Sequence, residues 1–321
     1  MATEVVTRAE SRGSGKYEQL LARCKGMTPV PTAVAHPCDD ASLGAAVEAA
    51  RAGLIAPILV GPADRIRAVA RDAGLDVGTL EIVDAPHSHA AAARAVELVR
   101  QGRAELLMKG SLHTDELMAE VVRRETGLRT DRRVSHVFIM DVPTYHKPLV
   151  ITDAAVNIAP TLDDKRDIVQ NAVDFMRALG VERPKVAILS AVETVTTKIP
   201  STIEAAALCK MADRGQIQGA VLDGPLAFDN AISAEAARTK GIVSPVAGDP
   251  DVLVVPDLEA GNMLAKNLTF LARADAAGVV LGARVAIILT SRADNQRARL
   301  ASCGVAALYA AARRRAGTLE G

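Results

Sequence analysis

Tryptophan is absent from this sequence and aromatic side chains make up only 2% of it, which excludes the stacking platforms that hold single-stranded nucleic acid. Net charge is absent too. The 38 Lys and Arg balance the 38 Asp and Glu, so the basic footprint of a dedicated nucleic-acid binder is missing. Paired cysteines are lacking: Cys24, Cys38, Cys209 and Cys303 are scattered with no C-x-x-C spacing, and a reduced, cytoplasmic setting is expected. Met1 to Lys16 has no apolar centre and does not read as a secretory signal. The most apolar window, "AGVVLGARVAIILT", is interrupted by Arg284 and is too short to cross a bilayer.

The familiar catalytic fingerprints are also missing. No G-x-x-x-x-G-K-[ST] loop and no G-x-G-x-x-G after a strand occurs, so nucleotide binding lacks its usual support. No G-x-S-x-G elbow and no H-E-x-x-H helix is present. The six histidines are spread out; His87 and His89 flank Ser88, which reads as a helix N-cap, and a surface role is favoured over metal binding.

What is present is an alternation. Short Val/Ile/Leu runs alternate with Ala-rich segments of helical period, the pattern of an α/β protein with a mainly parallel sheet. The expected strands are "PTAVAHP", "APILVGP", "LEIVDAP", "AELLMKG", "SHVFIMDV", "PLVITDA", "KVAILSAV", "GAVLDGP", "DVLVVPD" and "RVAIILTS". Helices are expected over 41–54, 88–102, 115–127, 163–180, 201–215, 259–278 and 293–315, many stopped by Gly. With 321 residues the chain divides into two domains, and the natural joint is "DVPTYHKP", Asp141 to Pro148.

In open α/β sheets ligands bind beyond the carboxyl ends of strands, so the chemistry should sit just after them. In "ILTSRAD", Ser291 or Asp294 can cap the following helix and Arg292 offers a planar cationic fork suited to phosphate. An ordinary cap followed by a solvated arginine is the competing reading. "LLMKGSLHTDELM" sets Lys109, Gly110, Ser111 and His113 between a strand and a helix, as either a binding loop or a plain helix entry capped by Thr114 or Asp115. Arg129 with Arg132 and Arg133 forms a charge cluster before a strand; Asp153, Asn157, Asp223, Asp229 and Asn262 complete the strand-end loops, where turn chemistry alone could also account for them.

Taken together, "KGSLHT", "ITDAAVNIAP", "KVAILSAVET", "LDGPLAFDNAIS", "PDLEAGNMLAK" and "ILTSRAD" resemble the phosphate acetyltransferase/phosphate butyryltransferase family, over about Lys16 to Ala312. The nearest resemblance is to the acyltransferase half of bifunctional enoyl-CoA hydratase/phosphate acetyltransferases, with no length left for the hydratase half. The resemblance implies a two-lobed α/β fold like that of isocitrate and isopropylmalate dehydrogenases, with the active site in the cleft between lobes. Residues 1–142 and 284–321 would form the first lobe and 143–283 the second. It implies reversible acyl transfer (acetyl, propionyl or butyryl) between coenzyme A and inorganic phosphate, no metal or other cofactor, and a homodimer, with an enoyl-CoA hydratase as a partner in trans.

The family's serine-arginine pair falls on Ser291 and Arg292. The acid that the acetyl branch keeps seven positions beyond the serine is here Ala298, which leaves Asp294 as the carboxylate within the motif. Lys109, Gly110, Ser111, His113, Arg129, Asp153, Asn157 and Asn262 are the substrate-binding candidates. A hydroxy-acid dehydrogenase of the same fold and a non-catalytic acyl-CoA-binding protein are the competing functions.

Overall fold

The computed structural model describes residues 15–289 and 295–317. Its strands are β1 (Val30–Ala35), β2 (Ile55–Gly61), β3 (Glu81–Asp84), β4 (Leu106–Lys109), β5 (Ser135–Asp141), β6 (Leu149–Thr152), β7 (Lys185–Leu189), β8 (Val221–Leu226), β9 (Val252–Val254), β10 (Asp275–Leu281) and β11 (Ala286–Ile288). The helices are α1 (Lys16–Ala22), α2 (Asp40–Arg51), α3 (Ala63–Asp72), α4 (Ser88–Arg100), α5 (Thr114–Val121), α6 (Leu162–Ala178), α7 (Pro200–Asp213), α8 (Phe228–Ile232), α9 (Ala234–Thr239), α10 (Leu258–Phe270) and α11 (Gln296–Arg315).

The strands join into one 11-stranded sheet in the order β3-β2-β1-β4-β11-β10-β5-β6-β9-β7-β8. Seven of its ten pairings are parallel. The antiparallel pairings all sit in the middle, where β10 is flanked by β11 and β5, and β5 by β6. The expected two lobes thus share one sheet. β10, from the 143–283 segment, lies between β11 and β5, so the two segments interleave there.

Strand burial follows from helices on both faces. β4 is buried at all four positions, and each such Leu contributes roughly 1.5–3 kcal/mol. The helices begin where polar caps are available. Asp39 accepts from Ser42 N at 2.8 Å, Asp257 from Ala260 N at 2.8 Å, and Thr161 with Asp164 closes a capping box on α6.

Four local expectations are corrected. The helix expected over 259–278 ends at Phe270 and β10 follows it. The Ala-rich "DAAGVVL" has weak strand propensity, but seven paired positions against β5 and burial on both sides outweigh it. His87, not Ser88, caps α4, its Nδ1 accepting from Ala90 N at 3.2 Å. His113, rather than Thr114 or Asp115, stands at the N-cap of α5, without a side-chain cap bond. The cap of α11 is Asn295, whose Oδ1 accepts from Ala298 N at 2.8 Å.

The two faces of the sheet are filled differently. On one face a single apolar cluster runs from Leu43 and Leu59 through Val137, Ile139 and Leu308 to Phe175, Val186 and Leu208, spanning both lobes. On the other, one cluster gathers Leu107, Leu117, Val121 and Ile287 around α4 and α5. A separate one gathers Met140, Ile151, Leu253 and Ala265 beneath α8 to α10. Between these two clusters lie the sheet's middle strands, β11, β10 and β5.

Candidate active site in the cleft

Strand register fixes which residues meet on the cleft floor. Ile288 pairs with Met108 and with Val279, Gly278 with Phe138, and Phe138 with Ile151. Leu289 N donates to Gly278 O at 3.4 Å. One cross-sheet row therefore reads Lys109, Leu289, Gly278, Phe138, Ile151. Four strand spacings make it roughly 19 Å wide, the scale of an extended ligand rather than of a single small anion.

The first-lobe wall is the loop that follows β4. Gly110 packs so closely that an added Cβ would lie 2.3 Å from Ala35 O and 2.5 Å from His36 O, so no other residue fits there. Ser111 then locks this loop to the one after β1. Its N donates to His36 O at 2.9 Å, and its Oγ lies 2.8 Å from that carbonyl and 3.0 Å from His36 Nδ1. His36 has φ 54, in the left-handed region, strain that the surrounding hydrogen bonds hold in place. Burial, then the nearby Arg65, lowers its pKa, which favours the neutral imidazole.

Buried Lys109 donates to Gly110 O at 3.3 Å, and exposed His113 stands at the entry of α5. Lys109, Gly110, Ser111 and His113 are thus gathered on one wall. Arg129 is exposed and lies elsewhere, bridging by backbone to Ala283 beyond the end of β10.

The opposite wall is built on the loop after β6. Asp153 Oδ1 accepts from Ala155 N and Val156 N at 3.0 and 3.1 Å, and Oδ2 from Asn157 N and Nδ2 at 3.0 and 2.5 Å. Burial raises the Asp153 pKa against these bonds, which favour the carboxylate. Asn157 Nδ2 also donates to Val134 O at 2.9 Å, and its Oδ1 accepts from Arg133 Nε at 2.6 Å. The polar atoms of Asp153 and Asn157 are engaged inside the protein, where they fix the loop. Asn262 joins α10 to the same loop through Nδ2 to Ala154 O at 3.2 Å.

Ser291, Arg292 and Asp294 lie outside the described residues. The chain on either side of them is described: Leu289 at the end of the floor row, and Asn295 at the entry to α11. Asn295 Nδ2 lies 3.4 Å from Asp275 Oδ1, and Arg297 Nε 3.5 Å from Asp275 Oδ2. Ala298 is buried, and its carbonyl accepts from Ser302 Oγ at 2.9 Å while that oxygen accepts from Gly278 N at 3.0 Å. The first turn of α11 is thereby fastened to β10, with a methyl group at Ala298, where the resemblance implied an acid.

Residue types alone did not single out His36 or Phe138. His36 had a signal, a histidine directly after a strand and before Pro37. Phe138 had none, since its neighbours come from strands distant in sequence. Among the described residues no group of three or more His, Cys, Asp or Glu is placed to hold a metal ion, and no helix is long and apolar enough to cross a membrane.

Comparison with known proteins bears on the chain as a whole. Residues 86–307 match the family model described as Phosphate acetyl/butaryl transferase. The chain is 70% identical to a phosphate acetyltransferase of Rhizobium meliloti over 94% of its own length and 95% of that protein's. It is 41% identical to a phosphate butyryltransferase of Clostridium acetobutylicum over 92% of this chain and 98% of that one. A branched-chain phosphotransacylase of Enterococcus faecalis V583, 30% identical, superposes with a TM-score of 0.77 over 88% of this chain and 99% of its own.

Proposed function

The chain belongs to the phosphate acetyl/butyryl transferase family, and from that premise we propose that it reversibly transfers an acyl group between coenzyme A and inorganic phosphate. The observation that carries this is the 70% identity to the Rhizobium meliloti phosphate acetyltransferase over nearly the whole of both chains. Attack of a phosphate oxygen on the thioester carbonyl forms a tetrahedral oxyanion, and collapse expels the CoA thiolate to leave acyl phosphate. Phosphate is largely ionised near neutral pH, so it needs placing more than deprotonation.

In this reading Arg292 clamps the phosphate and Ser291 donates to the oxyanion. Lys109, Ser111 and His113 supply cation and donors on the first wall. Asp153, Asn157 and Asn262 hold the second wall in shape, and Arg129 serves the outer rim. Asp294 is the proton acceptor for the thiol in the reverse direction, because Ala298 has no group to offer. The thioester is already activated, so the reaction calls for no cofactor beyond its two substrates.

Met263, Phe270 and Leu271 are exposed at 66, 73 and 79% along α10 and just after it, and a second copy of the chain in a homodimer is the occupant proposed for them. A cytoplasmic setting agrees with four free cysteines, and an enoyl-CoA hydratase in trans would act on the same CoA-linked acyl class.

The experiment is thiol release from acetyl-, propionyl- and butyryl-CoA with and without phosphate. Release that needs phosphate for at least one of them is expected; no phosphate-dependent release from any would overturn the proposal.

A further inference from the structure

The solvent side of α6 borders a polar recess that acyl transfer does not use. Arg166, Gln170, Asp174 and Arg177 follow one another at helical spacing, none of them buried, and form a stripe along the helix. The stripe is roughly 16 Å long. Arg132 reaches it from the turn before β5 and donates to Asp174 Oδ2 at 2.7 Å. The chain before β8 forms the other side, where Gln170 Oε1 accepts from Gln218 N at 2.8 Å and Gln170 Nε2 donates to Gln218 O at 3.1 Å. These segments enclose an open recess of about 390 Å³, within the size range of small-molecule sites.

Every side chain around the recess is Arg, Asp or Gln, and three arginines face two aspartates, which leaves one positive charge over. That charge sits at Arg177. Arg132 is paired with Asp174, and Arg166 donates to Asp167 Oδ1 at 3.0 and 3.2 Å, whereas Arg177 has no ion pair or hydrogen bond among the described residues. Its guanidinium lies over Gly219, where a Cβ would come within 2.8 Å of Nη1, so the glycine leaves it room. Arginines on an exposed helix are commonly just solvated; the concave setting and the spare guanidinium set these apart. A planar fork of this kind suits carboxylate or phosphate. The lining has no aromatic or aliphatic side chain, so a nucleotide base would have nothing to stack on.

We propose that this recess is an effector site for a small, hydroxyl-bearing multivalent oxyanion, a polycarboxylate or a sugar phosphate. Arg177 is its anchor, Arg132 and Arg166 are further contacts, and the carboxamides of Gln216 and Gln218 meet its hydroxyls. An anion taken by Arg166 competes with Asp167 for the same guanidinium protons. Asp167 Oδ2 also accepts from Arg133 N at 2.9 Å, and Arg133 Nε donates to Asn157 Oδ1 at 2.6 Å, so occupancy is felt at the loop after β6. The proposal rests on the acyl-transfer reading only for what the effector changes.

The test is calorimetric titration of citrate and of fructose 1,6-bisphosphate into the wild-type chain and Arg177→Ala, at constant ionic strength because exposed charges are screened by salt. We expect saturable binding of at least one, which tells carboxylate from phosphate, and binding weaker by about tenfold or more in Arg177→Ala. No binding of either, or equal affinity in the two chains, would overturn the site. In the wild type the bound anion should shift KM for acetyl-CoA about fivefold. Arg177→Ala should lose that shift at the same concentration and keep its basal turnover, which separates the recess from competition at the active site. An unchanged KM with the recess saturated would overturn the effector role. A wild-type chain that binds the anion yet releases no CoA with phosphate would overturn acyl transfer and leave the site standing.

Discussion

The two faces of the sheet use alternate residues of the same strands for opposite ends. On β5, Val137 and Ile139 point into the apolar cluster that unites both lobes, whereas His136, Phe138 and Met140 point to the face where two clusters stay apart. The united face is closed by α11 and α6, which pack on the sheet and on each other. At its rim, buried Lys16 pairs with Asp141 at 3.0 Å and Tyr17 OH donates to Ile139 O at 2.5 Å. On the divided face Leu289 packs against one cluster and Phe138 against the other, with Gly278 between them. One face therefore carries a core common to both chain segments while the other carries two separate ones, and a period of two residues along a strand separates them.

If that division is real, variants on each face should fail in different ways. The largest effect is expected from the united face. Phe175 is fully buried on α6, 5.7 Å from the Tyr309 ring, and Phe175→Ala should cost about 3–5 kcal/mol in urea unfolding. Its butyryl-to-acetyl ratio should stay at the wild-type value, and a large change there would blur the comparison.

Ser291→Ala should do the reverse. Loss of one oxyanion donor, about 3 kcal/mol, lowers turnover roughly a hundredfold, with an unfolding midpoint like that of the wild type. Near-normal turnover would remove the serine from the chemistry.

His136 links the cleft face to pH. Its folded pKa of about 3 lies below the unfolded value, so the stability of burying it neutral is complete above about pH 6.5 and is lost as pH falls toward the folded value. In His136→Gln the fall of stability between pH 6.5 and 4 should be shallower by up to about 1.4 kcal/mol per pH unit. Unfolding curves at three pH values decide it, and parallel slopes would count against this assignment.

The smallest effect belongs to the rim, outside both faces. Partial burial of Asp249 opposes its ionisation, but hydrogen bonds from Lys185 and Lys147 and their charges hold its pKa down at about 2. Its contribution is present above the unfolded carboxylate value, about 3.9, and lost as pH falls through about 2. The carboxylate is 42% exposed, so solvent screening should keep the Asp249→Asn loss at pH 7 to about 1 kcal/mol or less. That difference should shrink as pH falls toward 2 and vanish below it in thermal unfolding.

Much of the frame was legible in the residues. The runs "PILVG", "LLMK" and "VFIMD" are apolar at nearly every position, as strands covered on both faces must be. β10 was hidden because Ala and Gly carry little strand preference, and its pairing partners were supplied by tertiary contact. The β4–α5 loop was legible as a candidate because Lys109, Gly110 and Ser111 directly follow a buried strand. The roles of Asp153 and Asn157 were not, since whether a buried carboxylate faces a ligand or its own backbone depends on the path of the loop.

By itself the sequence determined the α/β alternation and the residues available at each strand end; these depend on local order and side-chain chemistry alone. Only the tertiary structure decided that Lys109, Leu289, Gly278 and Phe138 form one row, and that His136 fills the space a Gly278 side chain would take. Lateral strand order joins residues up to 180 positions apart at spacings of about 5 Å, and no pattern along one chain segment specifies which strand will lie beside it.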